Sequence, residues 1–254
     1  MNWKLIQDSR RLGPECICEI ERTLKDILGP DIFLILAKYE NSGHPWHEAA
    51  CELCNNKIID HFQNHMKSFY ATAGEFIYFY KIRYNKRQKA IAKRRIRSKE
   101  EALSIIFEHR IGLNFIWMRF YDVKMTNIDG AHHDILLTKD DYVIGVECSI
   151  KIKGRDFGTI LRKMEEKSKT LSDEMANFLA IHIADKNFNE LFGTSEKISA
   201  FGRRLQGKFK ANSFLNKINI VLFSTIEYKN VGFQNINSSF SVPDDFPITG
   251  QEIS

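Results

Sequence analysis

The chain has 254 residues, 43% of them hydrophobic and 27% charged, which supplies enough apolar material for a packed domain and too much for wholesale disorder. No apolar run approaches the ~20 residues that span a bilayer, and the opening Met-Asn-Trp-Lys-Leu-Ile-Gln-Asp holds no export core, so the expectation is a cytoplasmic protein with no membrane contact. The mild net charge of +5 is unevenly spread: ten basic and no acidic residues lie between Lys81 and Lys99, so the total is +10 there and −5 elsewhere.

The first ~110 residues read as mostly helical. Apolar and charged positions alternate at helical spacing over residues 15–28, where Gly29-Pro30 breaks the pattern. A second apolar segment covers 31–39. Pro45 suits the first turn of a helix running to about residue 72, and Gly74 is expected to interrupt it. An aromatic stretch with Phe76, Tyr78, Phe79, Tyr80 and Tyr84 leads into the basic run. Ser98 and Glu101 form a capping-box signature for a helix over 102–115.

Beyond Trp117 the texture changes. Residues 117–123 are aromatic and β-branched, and Asn127-Ile128-Asp129-Gly130 is a turn. Residues 134–137 and 142–153 read as two strands of an antiparallel hairpin turned by Lys139-Asp140-Asp141. A helix follows over 157–171, with Leu161, Met164, Lys167 and Ser168 along one side. Then come a strand at 178–184, helical sequence over 189–214, and a strand at 218–227. This order indicates an α/β fold with a mixed sheet flanked by helices. Three regions follow: a helical N-terminal region, 1–97, containing the basic run; a core, 98–230; and an irregular tail, 231–254.

Five cysteines, Cys16, Cys18, Cys51, Cys54 and Cys148, fit a reducing compartment better than a disulfide framework. His47, Cys51 and Cys54 fall on one helix face at i, i+4 and i+7, a loose match to zinc-ligand spacing. The residues sit inside a helical pattern rather than a tight turn, which favours ordinary helix-face thiols over a structural Zn²⁺.

The chemistry-bearing segment is His132-His133-Asp134-Ile135-Leu136-Leu137, followed by residues 142–153. Strand alternation puts Glu147, Ser149, Lys151 and Lys153 on one face, and Val146, Cys148, Ile150 and Ile152 on the apolar other. An acid within Ile-Gly-Val-Glu-Cys-Ser-Ile needs a partner in a core strand. A divalent cation shared with Asp134 would supply one, and so would a plain salt bridge from Glu147 to Lys151 or Lys153.

This segment resembles the PD-(D/E)xK nuclease superfamily, over about residues 98–230. The resemblance implies a restriction-endonuclease-like core. It also implies that Asp134 and Glu147 hold Mg²⁺ or Mn²⁺, that a lysine two residues after the second acid positions the attacking water, and that Glu108 is a candidate third carboxylate. The sequence departs from the family pattern at Ser149, where the lysine is expected. Two repairs are open. Lys151, about 6–7 Å further along the same face, reaches back. Alternatively, Ser149-Ile150-Lys151 is the active frame and Glu165, on the next helix, is the second acid. His109, His132 and His133 are nearby histidines, better read as polar loop or helix residues than as bases or ligands.

The expected function is therefore a metal-dependent endonuclease acting on DNA, with RNA also open, in a restriction or antiviral-defence setting that comes from the family alone. Lys86, Arg87, Lys89, Lys93, Arg94, Arg95 and Arg97 would hold the phosphate backbone. The alternatives are an inactive nucleic-acid-binding protein and a protein-interaction subunit of the same fold. The N-terminal helices could serve a homodimer or a partner protein.

Overall fold

In the computed structural model, the described residues are 14–39, 43–55, 63–117, 122–126, 133–150, 156–225, 229–238 and 240. The chain divides into two compact units, Met1–Arg110 and Ile111–Ser254.

The first unit is helical: α1 (Pro14–Leu28), α2 (Ile32–Ala37), α3 (His47–Cys54), α4 (Asn64–Tyr78), α5 (Lys86–Arg97) and the first half of α6 (Ala102–Trp117). The single long helix expected after Pro45 is in fact two, because Asn55 is in a turn and Gln63 is extended before α4 starts. Gly74 does not interrupt α4. It is buried within it, where tertiary packing outweighs the ~1 kcal/mol propensity penalty of glycine. The core gathers Trp46, Phe69, Phe76 and Phe79, and Trp46 Nε1 donates to Thr72 Oγ1 at 2.8 Å.

A π-helical turn, Phe79–Arg83, follows α4 directly. The basic run then forms α5. Asn85 caps it through a reciprocal pair: Asn85 Oδ1 accepts from Gln88 N at 2.9 Å, and Gln88 Oε1 accepts from Asn85 N at 3.0 Å. Ser98 Oγ accepts from Glu101 N at 3.2 Å as α6 begins.

The second unit is an α/β structure with a six-stranded mixed sheet. Its strands are β1 (Asp122–Met125), β2 (Ile135–Lys139), β3 (Tyr142–Ser149), β4 (Ala176–His182), β5 (Ile220–Ser224) and β6 (Asn230–Gln234), in spatial order β1-β2-β3-β4-β5-β6. β1, β2 and β3 form an antiparallel meander, β4 and β5 add in parallel, and β6 closes antiparallel to β5. The tail expected to be irregular from residue 231 thus begins with a strand, because Val231 and Phe233 both turn into the core.

The parallel connections carry helices: α7 (Phe157–Ser168) between β3 and β4, then α8 (Asp185–Phe192) and α9 (Ser195–Ala211) between β4 and β5. These helices share a core with one sheet face, represented by Leu179, Ile181, Val221 and Phe223. On the alternate positions Phe178 meets Phe115 of α6 edge-on, with ring centroids 5.4 Å apart. Among the described residues no helix is long and apolar enough to cross a membrane.

Candidate active site and basic surface

The hairpin turn is two residues long. Lys139 pairs with Tyr142, and Asp140 takes φ 51°, a left-handed conformation that aspartate tolerates. From there the register runs back to Ile135 opposite Val146. The regular pairing ends there, and the N–H of Asp134, the residue before β2, also donates to the Val146 carbonyl, at 3.0 Å. What ties Asp134 to Glu147 is Lys167, which pairs with Glu147 and also feels the charge of Asp134. Asp134 is anchored on its other side by Thr126, whose N–H donates to the Asp134 carbonyl at 2.9 Å. Asp134 Oδ2 accepts from the Cys148 N–H at 2.6 Å.

The cation at this site comes from the following helix. Asp156 caps α7 by accepting from Thr159 N at 2.9 Å. Phe157, Ile160, Met164 and Ser168 form the buried face of α7. Lys167 stands at the edge of that face, and its Nζ donates to Glu147 Oε1. Burial works against the Lys167 ammonium. The hydrogen bond and charge of Glu147, with Asp134 and Glu166 behind it, outweigh burial and raise the pKa above its ordinary value. Lys167 keeps 26% of its side-chain surface exposed and Glu147 keeps 11%, so the pair is shielded but open to solvent.

Two further features mark the site. Ser149 is 2% exposed and lies on the Glu147 face of β3, and among the described residues its Oγ has no hydrogen-bond partner. The ring of buried His133 lies over Gly145, where an added Cβ would come within 2.5 Å of the imidazole. Only glycine leaves room for that ring on β3.

The remaining expected site residues lie elsewhere. Glu165 is not drawn to the two acids; its Oε1 accepts from Asn212 Nδ2 at 2.8 Å. Glu108 belongs to the helical unit and is half of a buried ion pair. Arg95 donates to both its oxygens, at 2.8 and 2.6 Å, and Ser104 Oγ adds a third bond. His109 is structural: its Nε2 is 2.6 Å from the Tyr84 hydroxyl, and its ring stacks on Phe79. Burial, with Arg95 nearby, holds its pKa well below 6.5. His132, Lys151 and Lys153 fall outside the described residues.

Lys167 is the residue that sequence reasoning did not assign a role. Its signal was present: a cation at the edge of an otherwise apolar helix face, which needs an acid opposite.

The two carboxylates offer oxygen donors, which suit a hard divalent cation. The orphaned Ser149 Oγ beside Glu147 is a further polar atom without a protein partner. Among the described residues no group of three or more His, Cys, Asp or Glu side chains is placed to hold a metal. In the helical unit His47 Nδ1 is 3.0 Å from the Leu36 carbonyl, and its Nε2 is 3.7 Å from Cys51 Sγ.

The basic run divides by exposure. Lys86, Arg87, Arg94 and Arg97 are exposed, and Lys89 and Lys93 are half-buried. Arg95 leaves the expected phosphate-binding set, because it is 7% exposed and committed to Glu108. Arg94 lies 3.6 Å from Glu101. Among the described residues, Lys86, Arg87, Lys89, Lys93 and Arg97 have no carboxylate partner.

Compared with protein-family profiles, curated proteins and solved structures, the chain shows no match.

Proposed function

We propose that this protein is a Mg²⁺-dependent endonuclease of restriction-endonuclease-like architecture that hydrolyses phosphodiester bonds of DNA. The carrying observation is the Lys167 ammonium, which pairs with Glu147 and lies within the field of Asp134, two acids and one lysine drawn from β3, the residue before β2 and α7. The order of a helix, a hairpin, a helix and a parallel strand supports the same reading. In this reading the lysine absent after Glu147 is supplied by α7, and Ser149 occupies the vacated strand position.

Asp134 and Glu147 would hold the cation, which when bound offsets charge building on the phosphorus and lowers the pKa of a bound water. The role of Lys167 follows from its protonation. Its ion pair with Glu147 holds it as an ammonium, which donates hydrogen bonds and accepts none. It therefore orients the nucleophile or stabilises a phosphate oxygen as charge develops there. Glu147 holds Nζ in place. Asp134, tied to the Cys148 N–H, keeps its carboxylate fixed beside the pair. The unpartnered cations of α5 supply phosphate contacts that hold the backbone without reading sequence.

The test is nicking of supercoiled plasmid with Mg²⁺ or Mn²⁺. Wild type is expected to cut. Asp134→Ala and Glu147→Ala are expected to be inactive, and Lys167→Ala should lose ~10²–10³-fold, the usual loss for one preorganised electrostatic donor. Wild type that leaves DNA and RNA intact with every metal defeats the enzyme reading. Full activity in Lys167→Ala defeats the lysine assignment.

A further inference from the structure

The strongest feature outside the proposed active site lies on the helical unit. The π-helical turn carries Tyr80 alongside α5, where Lys89 Nζ and Lys93 Nζ stand 5.5 and 5.8 Å from the centre of its ring. Both ammonium groups gather at one half-buried tyrosine, and no carboxylate among the described residues neutralises either. Like charges set around one ring repel, and an anion bound beside them would relieve the repulsion.

The surrounding surface is concave. A cleft of about 420 Å³ is lined by Tyr80, Lys86, Lys89, Ala90 and Lys93. It shares Ala90 and Lys93 with a second cleft of about 530 Å³ that continues along α5 past Arg94 and Arg97 to Ser98. Residues 86, 90, 93 and 97 are spaced as one helix face, so the two clefts form a groove along the helix, ~18 Å long at 1.5 Å per residue. Its chemistry is a row of cations beginning at an aromatic ring, and among the described residues only Arg94 of that row has a carboxylate nearby, Glu101.

We infer that this groove binds single-stranded nucleic acid, with the cations on successive phosphates and Tyr80 stacking an unpaired base. The ring decides between strand types. A duplex presents phosphates but keeps its base faces stacked, whereas a single strand offers both, and aromatic–base stacking tolerates any sequence. An acidic protein segment would satisfy the lysines and leave the ring unused. The inference rests on the nucleic-acid part of the reading above and is independent of catalysis.

Fluorescence anisotropy in EDTA, where cleavage plays no part, tests it with labelled dT20, rU20, a 20-base-pair duplex and polyglutamate. Either single strand is expected to bind at least tenfold tighter than the duplex, and the tighter of dT20 and rU20 names the natural source. Tyr80→Ala should weaken single-strand binding about tenfold, within the range for loss of one base stack, while Tyr80→Phe keeps it. Lys89→Gln and Lys93→Gln should each lower the slope of log affinity against log salt by about 0.7. Circular dichroism of each variant confirms the fold. Duplex binding equal to single-strand binding, or indifference to Tyr80→Ala, overturns the single-strand assignment. Polyglutamate binding as tight as dT20 reassigns the groove to an acidic protein. A protein that binds dT20 but never cuts plasmid loses the proposed activity and keeps this site. A protein that cuts but shows no groove binding does the reverse.

Discussion

The helical unit and the sheet unit both bury carboxylates against cations, but they do so for different ends. In the helical unit Arg95–Glu108 and Arg110–Glu75 are sealed, with side chains no more than 9% exposed, and the geometry is close and charge-assisted. In the sheet unit Lys167–Glu147 is partly open, the charge of a second acid, Asp134, acts on the same lysine, and among the described residues the Ser149 hydroxyl on the Glu147 strand face has no partner. A sealed pair costs much desolvation and returns it only through complete bonding, so it serves to fix one packing arrangement. An open pair with spare polar groups nearby contributes little to stability and leaves room for a ligand.

That contrast predicts opposite outcomes for similar substitutions. Glu108→Ala strands the Arg95 guanidinium in the core and should cost about 3–5 kcal/mol of stability, read by urea denaturation of the helical unit. A loss under about 1 kcal/mol would mean that the pair is not sealed. Lys167→Ala should change stability by less than about 1 kcal/mol, the range of partly exposed pairs, while removing most cleavage activity. If stability and activity fall together, the two pairs are alike and the comparison fails.

The pH response should separate the units as well. Burial lowers the pKa of His44 and His109 in the helical unit, and of His182 at the end of β4 to about 4. Each stays neutral when folded and takes a proton when unfolded, so stability should be full above ~6.5 and fall as pH drops towards the lowered values. Replacing His109 with glutamine should flatten the acid limb for the helical unit. The raised Lys167 pKa works the other way: its contribution is present below the ordinary lysine value of ~10.4 and is lost as pH rises through the folded value. The part of the activity that depends on its ammonium should therefore fall on the alkaline side. The smallest effect belongs to Glu101→Ala, which breaks an exposed contact to Arg94 and should shift stability by less than about 0.5 kcal/mol.

Much of the sheet unit was legible in the sequence, because its signals are local. Alternation along residues 142–149 marked β3 and its apolar face, the Asp-Asp turn marked the hairpin, and Asp134 and Glu147 stood out as acids in apolar surroundings. The helical unit was legible only as helix. The break between α3 and α4 and the continuity of α4 through Gly74 depend on packing that propensity does not encode.

The sequence by itself determined the hairpin, with Asp134 at the start of its first strand and Glu147 within its second, because two strand-like runs flank a short polar turn. It also determined that α5 carries a dense positive charge. The tertiary structure alone decided which charges are used. Crossover through α7 carries Lys167 back over β3 to Glu147, a contact 20 residues apart that no spacing rule on the strand anticipates. Helix packing buries Arg95 against Glu108 while its neighbours along α5 stay at the surface. Local periodicity sets which face a side chain occupies, but only the path of the chain sets what that face meets.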